Sequence, residues 1–377
     1  MQKLRGLVLT FILVSVCGGL AAAQDATTLF EQGRKQYAAD QYDAAISSFN
    51  QYLAKEPSDA AAYYNIGLSY YNLNRNEEAV TAFKNAIRYK PTYAEANYWL
   101  GNAEYNLERY EDAIDAYREA IRLKPNYPDA YIYLGNSLDY LKKYNEAIAA
   151  YMKAVEIDPS NASAYSEIGV AHARQNNHTA AIEAFEKSIS LDPKNGNTFY
   201  KVALEYKALN RTDDTIKALR EAVRLKPDHT KAWVELGDRL NDNKSFPDAI
   251  AAFSQAIRLE PSNYSAFIGL GNSYYNDGKY ADSVQYYKKA AEISPSSITA
   301  KLYLGDAYLN SNQSQLALST FQAASALDPK NAPAYYGIGL AYIALKNTAM
   351  ARAQYDKLVP LDKATADKLL AKITPQQ

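Results

Sequence analysis

The 34 residues Ala94–Tyr127 read AEANYWLGNAEYNLERYEDAIDAYREAIRLKPNY, and they contain two apolar patterns with the period of an α-helix. After a break around Glu108 and Arg109, the second pattern places apolar side chains on one stripe, namely Tyr110, Ala113, Ile114, Tyr117, Ala120 and Ile121. Pro125 ends this second helix, because proline has no N–H group and its ring clashes with the preceding turn. The stretch therefore predicts a hairpin of two helices with more apolar surface than it can bury alone.

Prolines and glycines recur along the chain at a spacing of 34 residues, which is the length of that hairpin. The prolines are Pro57, Pro91, Pro125, Pro159, Pro193, Pro227, Pro261, Pro295 and Pro329. The glycines are Gly33, Gly67, Gly101, Gly135, Gly169, Gly237, Gly271, Gly305 and Gly339. A fixed period of this length indicates a repeat protein, in which each hairpin buries its apolar faces against its neighbours.

At these positions the chain resembles the tetratricopeptide repeat family, whose pattern combines Leu-Gly, two aromatics, two alanines and a proline. The second repeat carries the pattern as Tyr63, Ile66, Gly67, Tyr70, Ala79, Phe83, Ala86 and Pro91. The resemblance implies an all-α fold, a right-handed α-solenoid of about ten helix-turn-helix repeats that form one domain over residues 26–361. The repeat boundaries are 26–59, 60–93, 94–127, 128–161, 162–195, 196–229, 230–263, 264–297, 298–331 and 332–361.

The junctions and the end of the array also carry helix signals. After the proline, a side chain suited to cap the next helix follows at Asp59, Asn161, Asn195, Asn263 and Asn331. Beyond the tenth repeat, an apolar stripe lies among lysines, formed by Ala366, Leu369, Leu370 and Ile373. This stripe predicts a C-terminal capping helix over residues 362–373.

The first 23 residues differ from the repeats and resemble a targeting segment. Lys3 and Arg5 precede an uncharged apolar run, and three alanines before Gln24 offer a small-residue cleavage site. This order is typical of a secretory signal peptide and predicts a mature N-terminus at Gln24 in a periplasmic or secreted protein. An uncleaved anchor is the alternative, although the run is at the short limit for a membrane span.

The single cysteine, Cys17, follows the apolar run and opens a second alternative, a bacterial lipoprotein signal. Val14 and Ser15 suit such a signal, but Val16 stands where a small residue is usual. If Cys17 leaves with the signal, the mature chain has no cysteine for a disulfide, a nucleophile or a metal site.

Charge and motifs argue against nucleic-acid binding and against catalysis. Without Lys3 and Arg5, 39 basic residues face 42 acidic ones, and this balance creates no strong field for nucleic acid. The three histidines, His172, His178 and His229, lack metal-site spacing, and no phosphate-binding, dinucleotide or nucleophile-elbow motif occurs. We therefore expect no enzyme activity, no cofactor, no metal site and no membrane span in the mature chain.

In the tetratricopeptide repeat family, one side of each hairpin's first helix lines a concave groove. The resemblance assigns to this groove, in repeats two to four, Tyr64, Asn65, Tyr71, Tyr98, Trp99, Asn102, Tyr105, Asn106, Tyr133 and Asn136. Because they face the groove, we expect these side chains to lie outside the core between hairpins. Few charged residues belong to this set, so we also expect ligand binding to depend little on salt.

Tyrosine presents a rigid amphipathic ring, and asparagine can both donate to and accept from a peptide backbone. The set predicts a non-catalytic exported scaffold that binds an extended peptide or a partner protein and mediates complex assembly. One alternative is a periplasmic glycan-binding or polysaccharide-export scaffold, since aromatic faces stack on sugar rings. Another is self-association through the ends. The tyrosines could instead pack across first helices and stiffen the solenoid.

A subclass of the family that clamps C-terminal carboxylates is disfavoured. Of its ligand positions only Asn65 carries the usual residue, and the others hold Phe30, Arg34, Glu95 and Trp99.

Repeat six departs most from the pattern, because Ala203 replaces the glycine, Thr215 the packing alanine and Leu219 the aromatic. One interpretation is sequence drift whose effect on packing is compensated by local repacking. The other is a flexible joint between two stiffer halves of the array. The first helices of repeats six and seven bring a locally basic stretch to the groove, with Lys201, Lys207 and Lys231. The acidic residues Glu235, Asp238 and Asp242 follow it.

Overall fold

The computed structural model describes residues 25–374, and the predicted signal peptide at 1–23 lies outside these described residues. The described chain consists of α-helices joined by short turns, without a strand. The helices are α1 (Ala26–Ala38), α2 (Tyr42–Leu53), α3 (Ala60–Asn72), α4 (Asn76–Tyr89), α5 (Ala94–Asn106), α6 (Tyr110–Leu123), α7 (Pro128–Tyr140), α8 (Tyr144–Ile157), α9 (Ala162–Arg174), α10 (His178–Leu191), α11 (Gly196–Ala208), α12 (Thr212–Leu225), α13 (Thr230–Asp242), α14 (Phe246–Leu259), α15 (Tyr264–Asn276), α16 (Tyr280–Ile293), α17 (Ile298–Asn310), α18 (Ser314–Leu327), α19 (Ala332–Ala344), α20 (Thr348–Leu358) and α21 (Lys363–Ile373). The predicted all-α solenoid of helical hairpins is confirmed.

A left-handed backbone conformation at one turn residue joins the two helices of each hairpin. Its φ lies between 56° and 77° at Asp40, Asn74, Glu108, Lys142, Asn176, Asn210, Lys244, Gly278, Asn312 and Lys346. In hairpin three the next backbone N–H, that of Arg109, then donates to the carbonyl of Glu104 at 2.9 Å. This bond satisfies a carbonyl that the helix end would leave without a partner.

Close packing within a hairpin explains the periodic glycines. A Cβ atom added at Gly101 of α5 would lie 2.5 Å from the ring of Tyr117 on α6, and Gly67 has the same relation to Phe83. The rings of Tyr117 and Phe83 are completely buried. The glycine thus allows an aromatic ring to lie directly against the backbone of the first helix, where dispersion contacts are most numerous.

The junctions between hairpins carry the expected caps. The side chain of Asp59 accepts hydrogen bonds from the backbone N–H groups of Ala61 and Ala62 at the start of α3. Equivalent side-chain caps are made by Asn161, Asn195, Asn263 and Asn331. Pro128 is the first residue of α7, where its missing N–H leaves no bond unmade.

The chain divides into two compact units, one ending at Asn176 and the other beginning at Asn177. In the first unit, the most deeply buried rings between helices are Phe49, Phe83, Tyr117 and Tyr151. In the second unit they are Phe185, Phe253, Tyr287 and Phe321. Along residues 25–374, none of the helices combines the length and the apolar character needed to cross a membrane.

The final helix, α21, covers the last hairpin of the second unit as a capping helix. Leu369 is completely buried, and a Cβ added at Gly339 of α19 would lie 2.5 Å from its side chain. Leu369 therefore takes the place against Gly339 that an aromatic of the second helix takes in other hairpins. Asp362 begins the helix by accepting a hydrogen bond from the backbone N–H of Thr365.

Candidate binding face on the first helices

In the first unit, the first helices α3, α5, α7 and α9 lie side by side and contact one another in sequence. We call the side of these helices that carries the predicted groove residues the first-helix face. Its side chains come from helices with intact hydrogen bonding and tight hairpin packing, so they project from a rigid support.

Aromatic rings along the first-helix face form one continuous series of edge-to-face contacts, the aromatic track. Successive ring centroids lie 5.1, 5.5, 5.9, 6.3 and 5.6 Å apart along Tyr71, Trp99, Tyr98, Tyr133, Tyr105 and Tyr140. The structure therefore brings together five of the six aromatic residues in the predicted set. Edge-to-face contacts at these distances are favourable because the positive ring edge meets the negative ring face.

The sixth predicted aromatic residue, Tyr64, lies beside the aromatic track without joining this series. Its ring packs 4.9 Å from Tyr93 and 6.0 Å from Phe83. Burial raises the pKa of Tyr64, which remains a neutral phenol. Tyr64 thus belongs mainly to the packing between hairpins two and three.

The rings of the aromatic track differ in exposure. Tyr98 is only 8% exposed, whereas Tyr133 is 37% and Tyr140 57% exposed. Trp99 is half-buried and packs against the apolar cluster that contains Phe83 and Leu100. The expectation that these side chains lie outside the core is therefore wrong for Tyr98 and for part of Trp99, because their rings are large enough to reach the junction between hairpins.

The predicted asparagines are also partly engaged within the protein. Asn102 is buried, and its Oδ1 accepts a hydrogen bond of 2.7 Å from the hydroxyl of Tyr117. In hairpin four, the hydroxyl of Tyr151 donates to Asn136 Oδ1 at 2.8 Å. The expected outward position is therefore wrong for Asn102, whose side chain is bonded to a core tyrosine. Asn136 is half-buried, so it makes the equivalent bond and still reaches the surface.

The other two predicted asparagines lie further from the pocket described below. Asn65 donates from Nδ2 to the backbone carbonyl of Ala61 at 2.7 Å, within its own helix. Asn106 is exposed and its Nδ2 lies 3.4 Å from Asn76 Oδ1. Neither residue is bonded to the aromatic track.

A pocket of about 510 Å³ opens at the exposed end of the aromatic track, and we call it the α7–α9 pocket. Its walls are formed by Tyr105, Asp129, Ile132, Tyr133, Asn136, Asp139, Tyr140, Asn161, Ser163, Glu167 and Arg174. Three predicted residues, Tyr105, Tyr133 and Asn136, are among them. The pocket combines exposed aromatic rings with carboxylates, so the expectation that few charges line this region is wrong at repeats four and five.

Asp139 is the most buried charged residue of the pocket, at 8% exposure. Its Oδ2 forms an ion pair with Nη1 of Arg174 from α9. Burial raises the pKa of Asp139, and the guanidinium of Arg174 opposes this effect. Oδ1 of the same carboxylate is also buried and accepts no hydrogen bond from any residue among 25–374.

Asp139, Tyr140 and Arg174 are not among the residues that the sequence predicts for this face. A signal was present, because Asp139 and Arg174 differ by 35 residues, one repeat plus one position. Side chains with this separation also meet elsewhere on the first helices, as when Asn72 Nδ2 donates to the Tyr37 hydroxyl at 3.0 Å.

In the second unit, the predicted basic stretch is partly neutralised. Nζ of Lys207 lies 2.8 Å from the carboxylate of Glu235, and Arg239 also contacts this carboxylate at 3.2 Å. Burial raises the pKa of Asp238 to about 6, and neighbouring Glu235 adds to this effect. The described residues contain no group of three or more side chains arranged to hold a metal ion.

These features define a class of protein built from repeated helical hairpins. Tetratricopeptide repeat models match residues 30–84, 64–128, 200–259, 239–298 and 302–366, and further such models match 140–176 and 162–195. Since these matches cover most of the sequence, the chain belongs to the tetratricopeptide repeat family. No curated protein gives a significant match.

One solved structure shows the same fold, and two others are similar to part of this chain. The C-terminal part of a TPR repeat-containing protein from Cytophaga hutchinsonii is 19% identical, with a TM-score of 0.56 over 64% of this chain and 99% of that one. A MamA structure is 29% identical, with a TM-score of 0.43 over 46% of this chain and 94% of that one. YrrB, described as a TPR protein with an unusual peptide-binding site, is 26% identical, with a TM-score of 0.46 over 50% of this chain and 96% of that one.

Proposed function

We propose that this protein is a non-catalytic scaffold that binds an extended peptide segment of a partner protein along the first-helix face. The observation that carries the proposal is the aromatic track, which leads from buried Tyr98 to exposed Tyr133 and Tyr140 at the α7–α9 pocket. Tyrosines held in this way supply contact area without a large loss of side-chain entropy on binding.

The arrangement of the pocket favours a ligand with both apolar and polar groups. Ile132 and the rings of Tyr133 and Tyr140 offer apolar surface, while Asn136 and Asp139 offer polar atoms. An extended peptide presents such groups in alternation, because successive side chains point in opposite directions and backbone amides lie between them. The helices that carry the pocket residues are packed before binding, so the ligand does not have to order them.

A selection experiment tests this function with the full mature chain. A random twelve-residue peptide library is selected on the wild-type protein, and the selected peptides are measured against Tyr133→Ala/Tyr140→Ala. The matched control is Met152→Ala, which removes a 52% exposed apolar side chain from second helix α8. We expect affinity to fall at least tenfold in the tyrosine variant and to stay unchanged in the control.

Two outcomes would contradict this function. If selected peptides bind the tyrosine variant as tightly as the wild type, the binding surface lies elsewhere. If no peptide is selected but defined oligosaccharides bind in a tyrosine-dependent manner, the protein is a glycan-binding scaffold, since exposed tyrosine rings also stack on sugars.

The proposed location is outside the cytoplasm, either in the periplasm or in the medium. The support is the order of charged, apolar and small residues in 1–23, which lies outside the described part of the structure. Intact mass of the protein from its native host should show a chain that begins at Gln24. A diacylated Cys17 would replace this proposal with a lipid-anchored protein.

A further inference from the structure

From the α7–α9 pocket we infer a more specific ligand: a peptide segment that inserts a lysine or arginine side chain beside Asp139. This inference rests on the proposed function, because it names the chemistry of the peptide that the first-helix face binds. It requires that the pocket attract positive charge, leave room for a cation and offer it an unused acceptor.

The charge of the pocket is negative. Asp129, Asp139 and Glu167 contribute carboxylates, and Arg174 is the single cationic residue in its wall. Asp129 is exposed at the start of α7 and has no ion-pair partner among residues 25–374. An anionic ligand, such as an acidic peptide or a C-terminal carboxylate, would be repelled by the same groups.

The aromatic rings of the pocket suit a cation. Tyr140 stacks on Tyr110 with ring centroids 4.9 Å apart and nearly parallel planes, and it still remains 57% exposed. Tyr105 contacts Tyr140 edge-on at 5.6 Å and thereby fixes its orientation further. A guanidinium or ammonium group next to such rings gains a cation–π attraction that grows when the contact is shielded from water.

The unused acceptor is Oδ1 of Asp139. Arg174 occupies only Oδ2, and Oδ1 is buried without a hydrogen bond from any described residue. Leaving a buried carboxylate oxygen unpaired is costly, and a ligand donor that reaches it once the covering side chains shift would remove this cost. Lysine and arginine supply donors and positive charge together, whereas a neutral amide supplies donors alone.

The stem of the ligand side chain also finds a suitable surface. Ile132 and Tyr133 line the pocket beside the charged groups. The methylene groups of lysine or arginine can lie along these apolar atoms while the charged end reaches the carboxylates.

The test uses fluorescently labelled twelve-residue peptides obtained by selection on the full mature chain. For each peptide, every arginine or lysine is replaced in turn by citrulline or by acetyl-lysine, which keep the length and remove the charge. Affinity is measured by fluorescence anisotropy. We expect one basic position at which neutralisation weakens binding about tenfold, and we expect added salt to weaken the parent peptide.

Protein variants locate that position. Asp129 is exposed, so we expect Asp129→Asn to fold normally. It should weaken binding of the parent peptide several-fold but hardly affect binding of the neutralised peptide. Asp139→Asn should have the larger effect, with its folding checked by circular dichroism. Glu111→Gln is the matched control, because it removes one exposed carboxylate from the first turn of second helix α6.

The outcomes separate this inference from the proposed function. If neutralised peptides bind as well as their parents while Tyr133→Ala/Tyr140→Ala abolishes binding, the face binds peptides without a cation and this inference fails alone. If binding is insensitive to both tyrosines, the proposed function fails as well. If Glu111→Gln weakens binding as much as Asp129→Asn, the effect is general electrostatic attraction and the pocket is not its source.

Discussion

Inside hairpin three, the hydroxyl of Tyr117 donates a hydrogen bond to Oδ1 of Asn102 at 2.7 Å, and both residues are buried. The same bond joins the equivalent residues of two other hairpins, in Tyr151 with Asn136 and in Tyr287 with Asn272. The bond ties the second helix of a hairpin to the first helix, at a residue of the predicted groove set in hairpins three and four. A residue that sequence analysis assigned to the ligand is thus part of the core.

This pairing predicts that the two side chains depend on each other. Tyr117→Phe removes the hydroxyl and leaves the buried oxygen of Asn102 without its donor, so we expect a loss of about 1–3 kcal/mol in the free energy of unfolding. Adding Asn102→Leu should recover most of the loss, because hairpin two carries Leu68 opposite Phe83 at these positions. Urea unfolding of the two single variants and the double variant measures the coupling. If the changes in unfolding free energy of the two single variants add up to that of the double variant, the bond contributes no coupling.

The sequence contains this relation, although the period alone does not show it. Hairpins with tyrosine at the second-helix position have asparagine opposite it in three cases, whereas Phe253 and Phe321 face Asp238 and Asp306. Leu340 opposite Tyr355 is an exception, and there the capping helix adds Leu369 to the same core. Helices, caps and the packing glycines were predictable because each depends on local spacing. Which side chains turn inward was not, because it depends on the partner that each side chain meets across packed helices, as Asn102 meets Tyr117.

The left-handed turn residues give a second prediction. Lys142 has a φ of 60° and is exposed, so its side chain gains little from packing. A residue with a Cβ atom costs roughly 1–2 kcal/mol in this conformation, and glycine avoids that cost at the expense of some unfolded-state entropy. We therefore expect Lys142→Gly to stabilise the protein by about 0.5–1 kcal/mol in urea unfolding. Lys142→Ala keeps the Cβ atom and should have almost no effect. Equal stability of the two variants would contradict the argument.

Repeat six remains the region where we expect looser packing. Ala203 and Leu219 are both completely buried, and two open surface pockets of about 200 and 470 Å³ border α12, the helix that carries Leu219. We predict faster amide hydrogen exchange in 196–229 than in the repeats on either side, since local opening is easiest where contacts are fewest. Ala203→Gly/Leu219→Phe recreates the pair found at Gly237 and Phe253 and should slow this exchange. Uniform protection across these repeats would show that repacking compensates the sequence change.

A half-buried carboxyl group predicts a pH dependence of stability. Burial raises the pKa of Asp306 from 3.8 to about 6. Because the folded protein holds this proton more tightly than the unfolded chain, stability falls as the pH rises from about 4 to about 6. The loss amounts to about 1.4 kcal/mol for each unit of pKa difference, and it persists at higher pH.

Asp306→Asn removes the titrating group and tests this sign. Its stability relative to the wild type should increase between about pH 4 and 6 and stay constant above that range. Parallel thermal unfolding of both proteins from pH 4 to 8 measures the difference. A difference that does not change with pH would mean that the carboxyl group is solvated in the folded state.

The aromatic track allows its structural and binding roles to be separated. Trp99 packs against a core cluster, so Trp99→Ala should lower the stability of the protein. Truncating a buried tryptophan costs roughly 3–5 kcal/mol, and for this half-buried ring we expect about 2 kcal/mol. Tyr140 is mostly exposed, so Tyr140→Ala should cost less than about 1 kcal/mol of stability.

For binding of a selected peptide we expect the reverse order. Tyr140→Ala should weaken affinity at least tenfold, as loss of a central aromatic contact does in other interfaces. Trp99→Ala should weaken it less, provided that binding is measured well below the melting temperature of the variant. Thermal unfolding and fluorescence anisotropy on the same preparations give both quantities. If Tyr140→Ala reduces stability and leaves affinity unchanged, the track stiffens the hairpins, and the ligand must bind on another surface.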